Sequence, residues 1–381
     1  MAGIGLAAGG RVRVLGGFAA FGAFWGAWGA ALPAVQSHAG VDDGQLGLAL
    51  LFIGAGALVS MRLAGTLVDR WGAAALPATM AAFGACAALP GLASSTLGLS
   101  AALFVLGAGS GAVDVAINAE GTRSETATGR PILSLAHGTF SACVVVGSLA
   151  TGVLRAADAS AELVLGLVGA VVVAIAVGLW RAPAAGAGAV AVAPARTSLR
   201  HLPRILVVLG ALCALAFFVE NAWQSWGAVH LESDLGASPA LGALAPALFA
   251  GAAAASRLGG HALLGGFDEI LIMRAGAAAS AAGTVVAAVA PTAALALAGI
   301  VVAGAGISIC APILFSLAGR SADEAVRGAA VSIVTTIAYL GFLVGPAAVG
   351  LLADATTLRA SLACAGAVAL LLAALAGRAR P

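Results

Sequence analysis

The chain has 381 residues, of which 61% are hydrophobic and 9% are charged; its mean hydropathy is +1.08 and its formal net charge is +2. Soluble domains are about 45–50% apolar and about 25% charged, so this composition excludes an ordinary soluble protein, which could not cover its surface with so few charges. The small net charge gives no indication of a nucleic-acid partner.

The apolar residues fall into twelve stretches, each long enough to cross a bilayer. A membrane-crossing helix needs about 20 apolar residues. The stretches are too long and too uniformly apolar to be barrel strands. We therefore predict an all-α integral membrane protein with twelve transmembrane helices. The predicted spans 1 to 12 are 14–35, 46–67, 74–93, 97–119, 132–155, 161–180, 205–230, 240–262, 272–291, 293–318, 328–353 and 357–377.

The chain reads as two similar halves. Trp25 and Trp28 of span 1 recur as Trp223 and Trp226 of span 7, about 198 residues later, and other anchors follow in the same order. Those anchors are Arg62 with Arg257, Arg123 with Arg320, and Arg130 with Arg327. A repeat of this kind predicts a transporter with a substrate site between its halves. We place a six-helix half at 1–181, a cytoplasmic linker rich in Ala, Gly and Pro at 182–203, and a second half at 204–381.

Arginine predicts the orientation, because the chain contains no lysine. Of its 18 arginines, only Arg155 and Arg359 fall on the side of the predicted bundle opposite to the others. By the positive-inside rule, both termini are cytoplasmic in a multi-pass protein of the inner (cytoplasmic) membrane. Span 1 is expected to be retained structure rather than a signal peptide. The five cysteines have no paired spacing, so we expect no metal site and no disulfide.

The connection after span 2 reads Gly65-Thr66-Leu67-Val68-Asp69-Arg70-Trp71-Gly72. It resembles the loop motif of the major facilitator superfamily, and Asp114-Val115-Ala116-Ile117-Asn118 in span 4 is similar to the sugar-porter-like, fucose-permease-like bacterial branch. The resemblance implies a gate loop formed by Gly65, Asp69, Arg70 and Gly72. Ala73 departs from the motif, as do Leu264 and Gly265 in the second copy, so the gate is expected on one side only.

An ionisable residue inside a span is costly and is therefore a functional candidate. The resemblance implies that helices 1, 4, 7 and 10 line the central cavity, and Asp114 and Glu220 lie on helices of that set. We predict a substrate-binding group on spans 1 and 7, in which indole rings stack on a solute and amides orient it. The group is Trp25, Trp28, Glu220, Asn221, Trp223, Gln224 and Trp226. The alternative for the tryptophans is an interfacial belt or helix packing, and for Glu220 a pairing with a neighbouring helix.

A second group lies deeper toward the predicted cytoplasmic side. Asp114, Asn118 and His137 are predicted to form, with Glu220, the proton-coupling residues. The alternative for Asp114 is an interhelical clamp with His137, Arg62 or Arg123. Glu120 and Glu125 are expected to form solvated pairs in a loop. Pro312 with nearby glycines can let span 10 bend, and close packing without a bend is the alternative.

Together these features predict a secondary active transporter that moves a small solute by rocker-switch alternating access. We expect it to be coupled to protons, to favour a sugar or similar polar solute, and to work as a monomer without a cofactor other than the proton gradient. An efflux carrier for drugs or metabolites is the alternative; a channel or scaffold is a third. The sequence shows no catalytic constellation and no nucleotide-binding loop, so an enzyme is not expected.

Overall fold

The computed structural model describes residues 2–183, 203–263, 267–323 and 326–380, and within these ranges the regular structure is helical. Two sequence features fall outside them: most of the predicted linker at 182–203, and Leu264 with Gly265. The helices are α1 Ala2–Ala39, α2 Asp43–Trp71, α3 Ala75–Cys86, α4 Thr96–Thr128, α5 Leu133–Ala156, α6 Ala161–Arg181, α7 Arg204–Val229, α8 Pro239–Gly242, α9 Leu244–Leu263, α10 Glu269–Val289, α11 Ala293–Ile307, α12 Cys310–Arg320, α13 Arg327–Ala355 and α14 Leu358–Leu375.

By length and apolar composition, the described residues contain eleven candidate membrane spans. One of them, Asp43–Leu92, has 50 residues and joins α2 to α3 through a short turn at Gly72–Ala74. At 1.5 Å per residue, 50 helical residues would extend about 75 Å, more than twice the thickness of the hydrocarbon core. This stretch therefore holds two crossings, and the chain is the twelve-helix integral membrane protein that the sequence predicts.

Side-chain caps begin several of these helices after a loop. The hydroxyls of Ser95, Thr292 and Thr357 accept hydrogen bonds from backbone N–H groups three residues further on. Each hydroxyl satisfies one of the backbone donors that the first turn of a helix leaves without a partner. These caps fix where α4, α11 and α14 enter the apolar region.

The chain divides into two compact units, each with a buried apolar core. Unit 1 is Met1–Val41 with Leu48–Ala193, and unit 2 is Asp42–Gly47 with Pro194–Pro381. The first turn of α2 therefore groups with unit 2, although the rest of that helix belongs to unit 1.

Glycines let helix backbones touch inside each unit. In unit 1, Gly22 and Gly26 of α1 face the backbone carbonyls of Phe140 and Val144 in α5, and a Cβ at either glycine would overlap these groups. In unit 2, Gly341 of α13 meets α7 backbone in the same way. Small residues at such crossings are typical of helix pairs in membranes.

Predicted span 10 is broken, as its proline suggests. The span consists of α11, which ends at Ile307, and α12, which begins at Cys310. Pro312 has no backbone N–H, so it cannot donate to the carbonyl of Ser308 four residues earlier, and its ring crowds that carbonyl. By contrast, α13 continues through Pro346 without interruption.

Candidate functional site

Glu220 of α7 is bound by side chains inside unit 2. Nη2 of Arg257, on α9, donates to both carboxylate oxygens of Glu220 at 3.2 and 3.3 Å. Nε2 of Gln224, one helical turn along α7, donates to the same carboxylate at 3.2 Å. The Glu220 side chain is 12% exposed and that of Arg257 is 37% exposed. The Arg257 side of the pair is therefore partly exposed, whereas the Glu220 side is mostly buried.

The break after α11 holds Arg257 in place. Nε of Arg257 donates to the backbone carbonyl of Ser308 at 3.3 Å. That carbonyl is the one that Pro312 leaves without its helical donor. A neighbouring residue of α9, Ser256, donates to the carbonyl of Ala305 at 2.6 Å. The helix break thus supplies the acceptors that fix this end of α9 against α11.

Arg257 is the residue of this site that the sequence analysis missed, because it served there only as an anchor of the repeat and a marker of orientation. It lies inside predicted span 8, 240–262, and an arginine within an apolar span needs a partner as much as a glutamate does. That rule, applied to cations as well as acids, would have marked Arg257 as a functional candidate, although it does not identify Glu220 as its partner.

The two tryptophans of α7 are packed into unit 2. Trp223 and Trp226 have no exposed surface. Nε1 of Trp223 donates to the hydroxyl of Thr284 at 3.1 Å, and Nε1 of Trp226 donates to the carbonyl of Pro346 at 3.0 Å. In this conformation both indoles pack between helices rather than face a solute. A buried ring whose N–H is already hydrogen-bonded has neither an exposed face nor a free donor for a solute.

The tryptophans of α1 differ from each other. Trp28 is 4% exposed, whereas Trp25 is half-buried and packs edge-on against Phe21 and Phe24. Of the four tryptophans in the predicted substrate-binding group, Trp25 is thus the one that is not buried.

Asn221 is tied to the backbone of α13. Its Nδ2 donates to the carbonyl of Phe342 at 2.5 Å, and its Oδ1 accepts from Ser225 at 3.4 Å. Both ends of the amide therefore have partners within unit 2, which leaves Gln224 as the more adaptable amide next to Glu220.

Asp114 and Asn118 share one face of α4. Nδ2 of Asn118 donates to the Asp114 carboxylate at 3.2 Å and to its carbonyl at 2.9 Å. His137 packs edge-on against Phe18, with ring centroids 4.8 Å apart. Arg123, one of the predicted clamp partners of Asp114, binds Glu120 instead.

Glu120 corrects the expectation of a solvated loop. It is 1% exposed, and its two oxygens accept from Arg13 at 2.8 Å and Arg123 at 2.7 Å. The reason is that α4 runs on to Thr128, past its predicted end at residue 119. Glu125 is also helical, and its Oε1 accepts the N–H groups of residues 132 and 133 at 2.7 and 2.9 Å, which caps the start of α5.

The arginines bound to Glu120 also hold the turn after α2. Nη2 of Arg13 donates to the carbonyl of Ala73, and Nη2 of Arg123 lies 3.5 Å from that of Gly72. Gly72 has φ +54°, a conformation that favours glycine. Asp69 and Arg70 are exposed at the end of α2, and their role as a gate remains a prediction.

An open cleft of about 590 Å³ lies between the start of α10 and α12. On its rim, Glu269 pairs with Arg320, and Asp268 pairs with Arg380 at 2.7 Å. Asp268 caps α10 by accepting the N–H of Ile270, and chiefly this hydrogen bond lowers the pKa of its carboxyl group. These exposed pairs stabilise helix ends.

Comparisons with known proteins agree with this architecture. Residues 13–346 match the Major Facilitator Superfamily. The chain is 35% identical to an uncharacterized MFS-type transporter of Yersinia pestis over 367 residues, covering 93% of this chain and 91% of the relative. It is 32% identical to an uncharacterized transporter of Sinorhizobium fredii over 373 residues, covering 95% and 96% of the two chains.

Solved structures show the same fold at low identity. The nucleoside transporter NupG matches with a TM-score of 0.75 and 14% identity, covering 97% of this chain and 98% of that one. The inward open xylose transporter XylE from E. coli matches with a TM-score of 0.77 and 12% identity, covering 98% and 96%. With the family match over most of its length, the chain belongs to the Major Facilitator Superfamily.

Proposed function

We propose that this protein is a proton-coupled secondary transporter of a small polar solute, with Glu220 as its proton-carrying residue. It works by alternating access in the inner membrane, with both termini cytoplasmic and as a monomer. The observation that supports this most directly is the loose, partly exposed ion pair between Glu220 and Arg257.

The contrast between the ion pairs of Glu120 and Glu220 supports that choice. Glu120 is bound by two arginines at 2.7 and 2.8 Å in a site that is almost fully buried, and these are the distances of strong charge-assisted hydrogen bonds. Glu220 has one arginine at 3.2 Å, and that arginine is 37% exposed. A short, sealed pair suits a permanent structural role, whereas a long, open pair can exchange its partners.

Partner exchange would couple solute to proton. A solute hydroxyl that accepts a hydrogen bond from Arg257 competes with the Glu220 carboxylate for the same guanidinium. Once separated from the cation, a carboxylate in a poorly solvated site favours its protonated form. Gln224 remains beside Glu220 and can bond to either form. Solute binding and proton uptake would then occur together, and both would reverse when the site opens to the other side.

A sugar or a similarly hydroxylated compound suits this group. Arg257 and Gln224 are hydrogen-bond donors bound to the Glu220 carboxylate. NupG and XylE are named as nucleoside and xylose transporters, and both solutes contain a sugar ring. Those likenesses concern the fold alone, so the donors of this chain carry the proposal.

The test uses the protein reconstituted in vesicles that contain a pH-sensitive dye. Radiolabelled pentoses, hexoses and nucleosides are added one at a time under an imposed pH gradient, and solute and proton movement are followed together. We expect wild type to accumulate at least one solute with proton movement, and Glu220→Gln to exchange that solute without accumulating it. Glu269→Gln, a conservative change at the exposed pair with Arg320, is the matched control and should behave as wild type. Accumulation of solute by Glu220→Gln to the wild-type level would refute the role of this residue.

A further inference from the structure

A buried histidine directly follows the C-terminal end of α7, ten residues beyond Glu220. His230 begins a π-helical turn, His230–Asp234, that follows α7 directly. Its side chain has no exposed surface, and that of Asp234 is 24% exposed. Turns of this kind are uncommon and occur often at functional sites.

Both ring nitrogens of His230 face acceptors. Nδ1 lies 2.7 Å from Oδ2 of Asp234, and Nε2 lies 3.0 Å from the backbone carbonyl of Ala287 in α10. A carbonyl oxygen can only accept, and so can an ionised carboxylate, whereas a neutral imidazole has only one N–H. Either neutral tautomer would set a nitrogen lone pair against an oxygen lone pair at hydrogen-bond distance.

We propose that His230 and Asp234 form a proton-binding site, in which the ring is doubly protonated and bound to the carboxylate. The ligand is one proton taken from water through the partly exposed Asp234, and it forms the Nδ1–H bond. This assignment is independent of the solute and of the proton carried by Glu220.

The surrounding groups are consistent with an ion pair here. From α14, Arg359 donates to the backbone carbonyls of Asp234 and Ala290 at 3.0 and 3.3 Å, which places a cation close to the carboxylate segment. Glu232 of the same turn lies against Gly242. From within α7, Trp223 packs edge-on on the imidazole, with ring centroids 6.2 Å apart. The His230 ring therefore joins this turn to α10, and Arg359 joins the same turn to α14.

Loss of the proton would open this junction. Without it, one ring nitrogen would face its acceptor with lone pair against lone pair, either Nδ1 against Oδ2 of Asp234 or Nε2 against the Ala287 carbonyl, so that contact would have to lengthen. The site would thus tie the packing of α7 to the pH of the water that Asp234 meets.

Nitrogen NMR on [15N]histidine-labelled full-length protein in bilayers tests the proposal directly. At pH 8 an ordinary histidine, with a pKa of about 6.5, is roughly 3% charged. We expect one histidine with both ring nitrogens protonated at this pH, a signal that disappears in His230→Gln and becomes that of a neutral ring in Asp234→Asn. His38→Gln should leave it unchanged. An unprotonated Nδ1 in wild type, or the same signal in Asp234→Asn, would overturn the proposal.

Asp234→Asn retains all five histidines, so it gives an assignment even where His230→Gln fails to fold.

Discussion

Pro312 leaves the backbone carbonyl of Ser308 without its helical donor, and that free carbonyl is the one that receives Nε of Arg257. The N–H that Pro312 lacks therefore determines where the arginine of another helix binds. The carbonyl that Arg257 contacts lies four residues before the proline. The ion pair to Glu220 depends on this arrangement.

Replacing Pro312 with Ala should weaken proton coupling. The new N–H at position 312 can donate to the Ser308 carbonyl and so competes with Arg257 for this acceptor. The same hydrogen bond lets the helix straighten. Hydrogen exchange followed by mass spectrometry should show greater protection around residues 308–312, and proton-driven accumulation should fall. Pro239→Ala is the control, because Pro239 lies in the first turn of α8, where no helical donor is needed. Unchanged protection in Pro312→Ala would contradict the account of the break.

Removing the cation should cost stability, and removing both charges should restore it. Arg257→Gln leaves Glu220 ionised in a mostly buried position; because Arg257 is more than a third exposed, we expect a loss of about 1–2 kcal/mol rather than the larger cost of a sealed pair. The double variant Glu220→Gln with Arg257→Gln should recover most of the melting temperature but no proton movement. Additive losses in a double-mutant cycle would mean that the two side chains do not interact.

Glu120→Gln should damage folding more than function. The substitution leaves Arg13 and Arg123 buried without their carboxylate, and breaking a buried pair in this way costs about 3–5 kcal/mol. We expect a lower yield of folded protein in detergent and a markedly lower melting temperature. Glu269→Gln, which alters an exposed pair, should change stability by less than about 1 kcal/mol. Equal effects of the two substitutions would mean that burial of Glu120 is unimportant.

Tryptophan substitutions separate packing from solute binding. Trp226→Phe removes the N–H that bonds to Pro346, and we expect a loss of about 1 kcal/mol with no change in the KM for solute. Trp25→Phe keeps a ring in a partly accessible position but makes it smaller, and it should raise the KM with little effect on melting temperature. If Trp226→Phe raises the KM for solute without changing stability, Trp226 takes part in solute binding and the packing role is contradicted.

The cap of α10 should weaken in acid. The pKa of Asp268 is lowered, mainly by its hydrogen bond from the N–H of Ile270, so its contribution to stability is present above the pKa of the unfolded chain and is lost as pH falls through the lower pKa of the folded protein. The difference in melting temperature between wild type and Asp268→Ala should therefore shrink as pH is lowered from 6 to 3. If the difference in melting temperature stays constant over this pH range, the stabilising effect of the Asp268 cap does not depend on ionisation of its carboxyl group.

The helices were predictable because the apolar stretches are long and their ends carry arginine, glycine or capping residues. The end of span 4 was misplaced, since Glu120 and Arg123 look like loop residues until Arg13, over a hundred positions earlier, is brought beside them. Pro312 with nearby glycines pointed to a bend in span 10, with close packing and no bend as the alternative.

The site was only half predictable. Glu220 could be chosen because a carboxylate in a span is conspicuous, but its partner Arg257 depends on how α9 packs on α7. The tryptophans of α7 look like a recognition motif in the sequence, and only their hydrogen bonds to Thr284 and Pro346 show how they pack. Local spacing cannot distinguish a ring that lines a cavity from one that fills a core.

The crossing of α1 and α5 has a genetic consequence. A glycine codon is one base from codons for alanine, valine and serine, yet a side chain at Gly26 would overlap the carbonyl of Val144, and one at Gly147 would overlap the carbonyl of Ala23. Exposed Val146 and Val153 on the same helix, α5, meet no such barrier. Among spontaneous mutations that inactivate this carrier without changing a polar residue, we therefore expect an excess in its glycine codons. A single base change there adds a side chain that forces two helices apart.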